Sequence, residues 1–302
     1  MERETHRDKR DTTTRPGGSS DSSEELPLAK VLFALPYTDR PKAALRSASS
    51  IAAAMNAELH VLSLLPRLSS LCARHDGLFD LSEARRHIEA CVATCRQTRA
   101  WCEHTLGEPM ELQRLHIRFG TPADEISLRV AQLDARLVVL APLPEGLGST
   151  AVGVAAACNR PVLVARHFSA PDAIIAATDL RDSQYRVLRQ ASALGTALGA
   201  RVVAVHNASC LSEAPDAGLE AEVCPVPELP TRMLAELPAS LDLVVTTELD
   251  PVGAILGQAR HHHSGIIVVG TRARPGRRVA ASVPSEVIDR SGCTVLVTSL
   301  DR

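Results

Sequence analysis

The chain of 302 residues carries a net charge of −2, with 45% hydrophobic and 23% charged residues, which excludes a fibrous or wholly disordered protein and leaves room for two ordinary domains. A near-neutral balance and an aromatic content of only 2% speak against nucleic acid as the partner, because phosphate needs a basic field and exposed bases need stacking platforms. No apolar run approaches the roughly 18 residues of a spanning helix, and the N-terminal stretch lacks the apolar centre of a secretory signal, so no membrane partner and a cytoplasmic location are expected.

Residues 1–28 are polar, of mixed charge, and contain Pro16-Gly17-Gly18, the composition of a flexible tail. Order is expected from Lys30, where VLFAL begins the first of a series of short Val/Ile/Leu/Ala runs. Strands are read near 30–35, 58–64, 112–118, 136–141 and 161–165, then near 173–178, 201–206, 242–246, 265–269 and 294–298. These runs lack polar alternation, as parallel strands covered on both faces do. Helical patterns at 41–55, 80–105 and 184–198 lie between them and imply βαβ units.

The second half repeats the first. Asp39 aligns with Asp182, Leu45-Arg46 with Leu188-Arg189, Ala48-Ser49 with Ala191-Ser192, and Ala57 with Ala200, without a gap. Later blocks also match, ADEISLRVAQLDARLVVLA with VGAILGQARHHHSGIIVVG and NRPVLVAR with GCTVLVTS, at a shorter offset. The expected fold class is α/β: two tandem doubly wound domains, 29–169 and 172–302, each a five-stranded parallel sheet with helices on both faces. An exposed apolar sheet edge needs cover. Val162-Leu163-Val164 and Val295-Leu296-Val297 should therefore meet, making an intramolecular pseudo-dimer.

Past Lys42 the chain has no lysine, which removes P-loop and Schiff-base chemistry. GxSxG, HExxH and Walker sequences are absent. The eight cysteines include no CxxC pair and read as free thiols. His87, Cys91, Cys95 and Cys102 share one helix, but Leu81, Ala84, Ile88, Cys91, Cys95, Thr98 and Cys102 follow an apolar 3-4 spacing. The thiols then belong to a buried stripe, with a redox sensor or metal face as the alternative. His261, His262 and His263 fall in the turn before a strand, where exposure is expected and no metal site follows.

The ordered set of motifs resembles the universal stress protein family, twice over. In the second copy these are Ala177-Thr178-Asp179 at a strand end, IIVVGTRARPG at the fourth strand, and SVPSEVIDRSGCTVLVTS at the end. In the first they are FGTPADEI and GSTAVGVAAACNRPVLV. The resemblance implies a sheet ordered 3-2-1-4-5 and, in nucleotide-binding members, a glycine-bearing loop after strand four that cradles phosphate. Bare amides and a helix N-terminus favour the anion there. It points to Thr178, Asp179, Gly270 and Ser282 as possible nucleotide contacts, with Arg274 and Arg277 replacing lost amide contacts to phosphate.

Each of these residues has a plainer reading. Asp179 could cap a turn, Gly270 could supply a positive φ, Ser282 could be an N-cap, and the arginines could be solvated. The first copy, with Pro36 at the aspartate position, Pro142 and Pro144 in place of the glycine turn, and only Gly148-Ser149 retained, is expected to have lost ATP binding. The resemblance implies a non-enzymatic regulatory protein that requires no cofactor and acts on an unidentified protein partner. The alternative is an ATP- or AMP-binding sensor using the second copy alone, with slow hydrolysis as a further option.

Overall fold

Apolar runs without polar alternation need cover on both faces, and the ten described strands lie in one sheet between two helical layers. The computed structural model describes residues 29–35, 40–65, 81–141, 147–166, 171–208, 241–274 and 282–300. The first half contributes β1 (Ala29–Leu35), α1 (Lys42–Ala54), β2 (Ala57–Leu65), α2 (Leu81–Leu106), β3 (Leu115–Phe119), α3 (Pro122–Leu133), β4 (Leu137–Leu140), α4 (Leu147–Cys158) and β5 (Val162–Val164). The second contributes β6 (Ala173–Ala177), α5 (Arg186–Leu198), β7 (Arg201–Asn207), β8 (Leu241–Thr246), α6 (Pro251–His261), β9 (Ile266–Thr271), α7 (Val283–Arg290) and β10 (Thr294–Ser299).

The strand order is β3-β2-β1-β4-β5-β10-β9-β6-β7-β8, so each half reads 3-2-1-4-5 from its outer edge. Within each half the strands are parallel, and the halves join where β5 and β10 pair antiparallel. Their register sets Leu163 opposite Leu296, with Val162 and Val164 facing Val297 and Val295. That arrangement centres a local twofold on the leucine pair and is the one expected from the two apolar runs. The join leaves neither edge open.

Alternation divides the core by face. Val31, Phe33, Leu163, Ile174 and Leu296 point to one side, beneath α1, α2 and α5. Leu32, Ala34, Val162, Ile175, Val295 and Val297 point to the other, beneath α3, α4, α6 and α7. Both clusters cross the join, so the halves share their core. The repeat also explains how α1 and α5 stop: Asn56 (φ 48°) and the aligned Gly199 (φ 68°) take the left-handed conformation that ends a helix.

The α2 stripe departs from expectation. Thr98 and Cys102 are wholly buried and Thr94 nearly so, but Ile88 is 62% exposed. Apolar spacing places a residue on a face without saying how far the neighbouring elements extend, and the packing of α2 on α1 and β3 does not reach Ile88. Cys91 and Cys95 are half-buried free thiols. Burial pushes the Cys102 thiol up to about 12, so it is no ready thiolate. His261 closes α6 rather than lying in a loop, and of the three histidines only His262 is half-buried.

Beneath α3, two imidazoles from neighbouring strands stack. His60 of β2 and His116 of β3 have ring centroids 5.4 Å apart, with Nδ1 of the first 3.1 Å from Nε2 of the second. Glu58 lies 3.2 Å from His60 on one side and 2.8 Å from Arg114 on the other. Burial, then the charge of Arg129, then His60 and Arg118, push His116 down to about 4. Burial also lowers His60, although Glu58 opposes it.

Candidate functional site

In an open parallel sheet the ligand crevice forms where the strand order reverses, beyond the carboxyl ends of the strands. In the second half that point lies between β6 and β9, and a cleft of about 900 Å³ opens there. Its walls include Thr178, Asp179, Gly270, Arg274 and Ser282, five of the six residues singled out from sequence. Arg277 lies outside the described residues, as do Pro36, Pro142 and Pro144.

The loop leaving β6 is a chain of side-chain-to-backbone turns. Thr178 Oγ1 accepts from the Leu180 amide at 3.0 Å, and Asp179 Oδ1 accepts from the Arg181 amide at 3.0 Å. His206 Nδ1 lies 3.0 Å from the Thr178 carbonyl, to which it donates, tying the loop to β7. Asp182 then accepts from the amides of Gln184 (3.1 Å) and Arg186 (2.8 Å), capping α5. Leu180 (φ 56°) and Tyr185 (φ 48°) adopt the left-handed conformation without being glycine, so the tight path of this loop stores backbone strain.

Across the cleft, Arg272 Nη1 reaches Asp179 Oδ2 at 2.8 Å. Burial works to raise the Asp179 carboxyl, but the hydrogen bond from Arg272 and the Arg181 amide outweigh it and hold the group below its ordinary value. Ala273 donates its amide to Thr271 Oγ1 at 3.1 Å, so that amide is already committed. Arg274 is exposed and has no ion-pair partner among the described residues.

Gly270 does not supply a positive φ: it lies inside β9, and an added Cβ would sit 2.6 Å from Leu300 Cδ1 and 3.0 Å from Val187 Cγ2. Its missing side chain makes room for Leu300 at the cleft floor. Ser282 is the N-cap of α7, its hydroxyl accepting from Ser285 N while Ser285 Oγ accepts from Ser282 N at 2.9 Å. Pro284 follows and has no amide hydrogen to offer.

Val187, Val205, Ile255, Val269 and Leu300 contribute apolar surface to the lining of the cleft. Asn207 also lines it, and sequence reading missed this residue by ending the strand at His206. Alternation from Val205 puts Asn207 on the same face. Its side-chain amide donates to the Glu248 carbonyl at 2.8 Å, and Thr246 donates to its Oδ1 at 3.2 Å.

The model of the universal stress protein family matches residues 28–166. The first half is therefore similar to a universal stress protein domain. A universal stress protein structure from Archaeoglobus fulgidus is similar over 89% of this chain and 96% of its own, at 18% identity and a TM-score of 0.57. A second structure, from Pseudomonas aeruginosa, gives 20% identity, a TM-score of 0.52, and 90% and 93% coverage. These likenesses extend over both halves and show a shared two-lobe fold. A search of curated proteins finds no match.

In the half that the family model matches, the end of α4 is occupied by protein groups. Gly148 and Ser149, aligned with the end of the phosphate loop, open α4, but Gly148 is pressed against the second lobe. A Cβ there would lie 2.3 Å from the Ser285 carbonyl oxygen. The Gly148 amide donates to Asp289 Oδ1 at 3.0 Å, so an acidic side chain of α7 takes a place at this helix N-terminus that favours an anion. Among the described residues no three His, Cys, Asp or Glu side chains converge to hold a metal, and no described helix is long and apolar enough to cross a membrane.

Proposed function

We propose that the protein is a non-catalytic binding protein of the universal stress type that takes one adenylate, ATP or AMP, in its second-lobe cleft and passes the occupied state to a protein partner. The observation carrying this reading is the cleft itself: a lining of apolar residues with Arg272 and Arg274, at the switch point of the sheet. Such a cleft suits a flat base against the apolar residues and a phosphate at the guanidinium groups, which fork onto oxyanions. Thr178, Asp179 and Ser282 surround the region where the sugar would lie, and Arg277 is proposed as a further phosphate contact. The domains are taken as 29–169 and 172–302, after a tail of 1–28.

Binding without turnover suits the state of the polar groups. Asp179 is held by Arg272 and the Arg181 amide, Asp182 caps α5, and the Ser282 hydroxyl caps α7. None of these three is poised as a base or nucleophile, which would need an acceptor or hydroxyl aimed at the ligand. No cofactor is required for the fold in this reading.

Isothermal titration of the full chain with ATP and with AMP tests it. The expected stoichiometry is one nucleotide per chain, because Asp289 and the close approach of Ser285 occupy the corresponding end of α4. Arg274→Ala should weaken binding about fivefold, in line with loss of a charge-assisted contact at an exposed position. Two equivalent sites per chain, or no binding up to millimolar ligand, would reject the proposal.

A further inference from the structure

The local twofold that relates the halves is broken on the α1 and α5 face of the join. On one side of the Leu163–Leu296 pair, Ser47 Oγ of α1 donates to the Arg166 carbonyl at 3.0 Å, and the Arg166 amide donates to Thr294 Oγ1 at 3.2 Å. These bonds fasten the chain beyond β5 to α1 and β10. On the other side the repeat sets Gln190 in the place of Ser47 and Pro161 in the place of Thr294. Pro161 has no hydroxyl, and the exposed Gln190 side chain makes no hydrogen bond among the described residues. A cavity of about 80 Å³ is left there.

Its walls are apolar and come from both halves. Leu163 and Leu296 meet Leu137 of β4, Leu194 of α5 and Met55 at the end of α1. The four leucines are buried, whereas Arg136 and Gln190 are exposed, so the cavity is closed within and opens beside a guanidinium group. Arg136 has no ion-pair partner among the described residues. Asp134, close by in the chain, is paired with Arg160 at 2.7 Å and leaves the rim cationic.

Water suits such a space poorly, because each molecule needs about two to four polar partners and the lining offers polar side chains only at its rim. Left empty, the cavity forfeits contacts of the leucines. A hydrocarbon chain restores them, and a terminal carboxylate gains a charge-assisted bond to arginine. One water takes about 10–15 Å³ of this kind of volume, so the space accepts about six water-sized groups, the bulk of about four to six carbons.

We propose that the cavity at the lobe join binds short unbranched monocarboxylates, with the tail against the Leu163–Leu296 pair and the carboxylate at Arg136. Such a ligand touches β4 and β5 of one half and α5 and β10 of the other, and so acts as a clasp across the join. The site shares no lining residue with the second-lobe cleft, and it stands or falls apart from the adenylate reading.

Met55 supplies the readout, in methyl spectra of the full chain carrying isotope-labelled methionine, with Met55→Leu giving the assignment. Titration with hexanoate should move the Met55 signal. Affinity should rise about fourfold for each methylene from butanoate to hexanoate and gain nothing further at decanoate. Arg136→Gln should weaken hexanoate about fivefold, the worth of one exposed ion pair, and leave hexanol unchanged. Ala193 lines the cavity and is exposed, so Ala193→Leu should fold normally, as melting temperatures would check, yet weaken hexanoate about tenfold by filling the space.

If the Met55 signal does not respond to hexanoate, if affinity keeps climbing to decanoate, or if Arg136→Gln binds hexanoate as tightly as the wild type, the proposal is overturned. Undiminished hexanoate binding in Ala193→Leu would overturn it too, since the ligand would then lie outside the cavity.

Discussion

Gly148→Ala is expected to destabilise the protein by about 2–3 kcal/mol, the upper range for forcing a methyl group into a filled site. The Cβ would be placed 2.3 Å from the Ser285 carbonyl oxygen and 2.8 Å from its Cα, and both belong to backbone that cannot swing away. Relief requires α4 and α7 to separate, and that would strain the β5–β10 join between them and stretch the contact from the Gly148 amide to Asp289. A control exists in the same helix. A Cβ at Gly153 meets nothing within 4 Å, so Gly153→Ala should raise stability by about 0.5–1 kcal/mol through helix propensity alone. Chemical denaturation of the two variants checks both signs. Equal effects would mean that α4 does not approach α7 as closely as described.

The second large effect expected is a loss of stability as pH falls from about 6.5 towards 4. His116 titrates near its ordinary value when unfolded but is pushed down to about 4 in the folded protein, first by burial and then by Arg129, His60 and Arg118. His60 is lowered as well, first by burial, with Glu58 opposing and Lys30 and Arg114 assisting. For groups whose folded value is depressed, the unfolded chain binds more protons between the two values, so stability rises with pH across that window. The contribution is complete above the ordinary histidine value and is lost progressively on acidification.

A full conversion would use about 1.4 kcal/mol for each pH unit. His116 is only half enclosed, however, and solvent screening reduces the effect to about 1 kcal/mol in all. Melting temperatures at pH 7.5 and 5 should differ by a few degrees from this source, and His116→Gln should flatten that slope. An unchanged slope in the variant would place the acid sensitivity elsewhere.

Much of the fold was legible because it depends on local pattern. The ten apolar runs lie where strands form, and the repeat carries Asn56 onto Gly199, the two residues that end corresponding helices. Even the β5–β10 join could be anticipated, since two short runs with no polar face have few other ways to be covered. The site was less legible. Thr178, Asp179, Gly270, Arg274 and Ser282 were found because motifs mark them, but motif position did not reveal what each atom touches. Asn207 was missed because it falls one residue past the assumed strand end.

Ile88 shows a different limit, since periodicity identifies a helix face but not where the opposing surface stops. Gly270 and Gly148 show the same limit for close approach. The sequence offered phosphate loops and flexible turns as reasons for these glycines. Their actual neighbours, Leu300 and Ser285, are distant in the chain and enter only through packing.

While the strand order and the residues at the switch point were implied by the family resemblance of the motifs, the order of apolar runs and the duplication determine by themselves the class of fold. They do so because burial and alternation act over a few residues. The tertiary structure alone decides that Arg272 is paired with Asp179, that Ser282 is spent on capping α7, and that Asp289 meets the end of α4 in the first lobe. Those outcomes depend on distances between segments far apart in sequence, set only once both layers of helices have packed on the shared sheet.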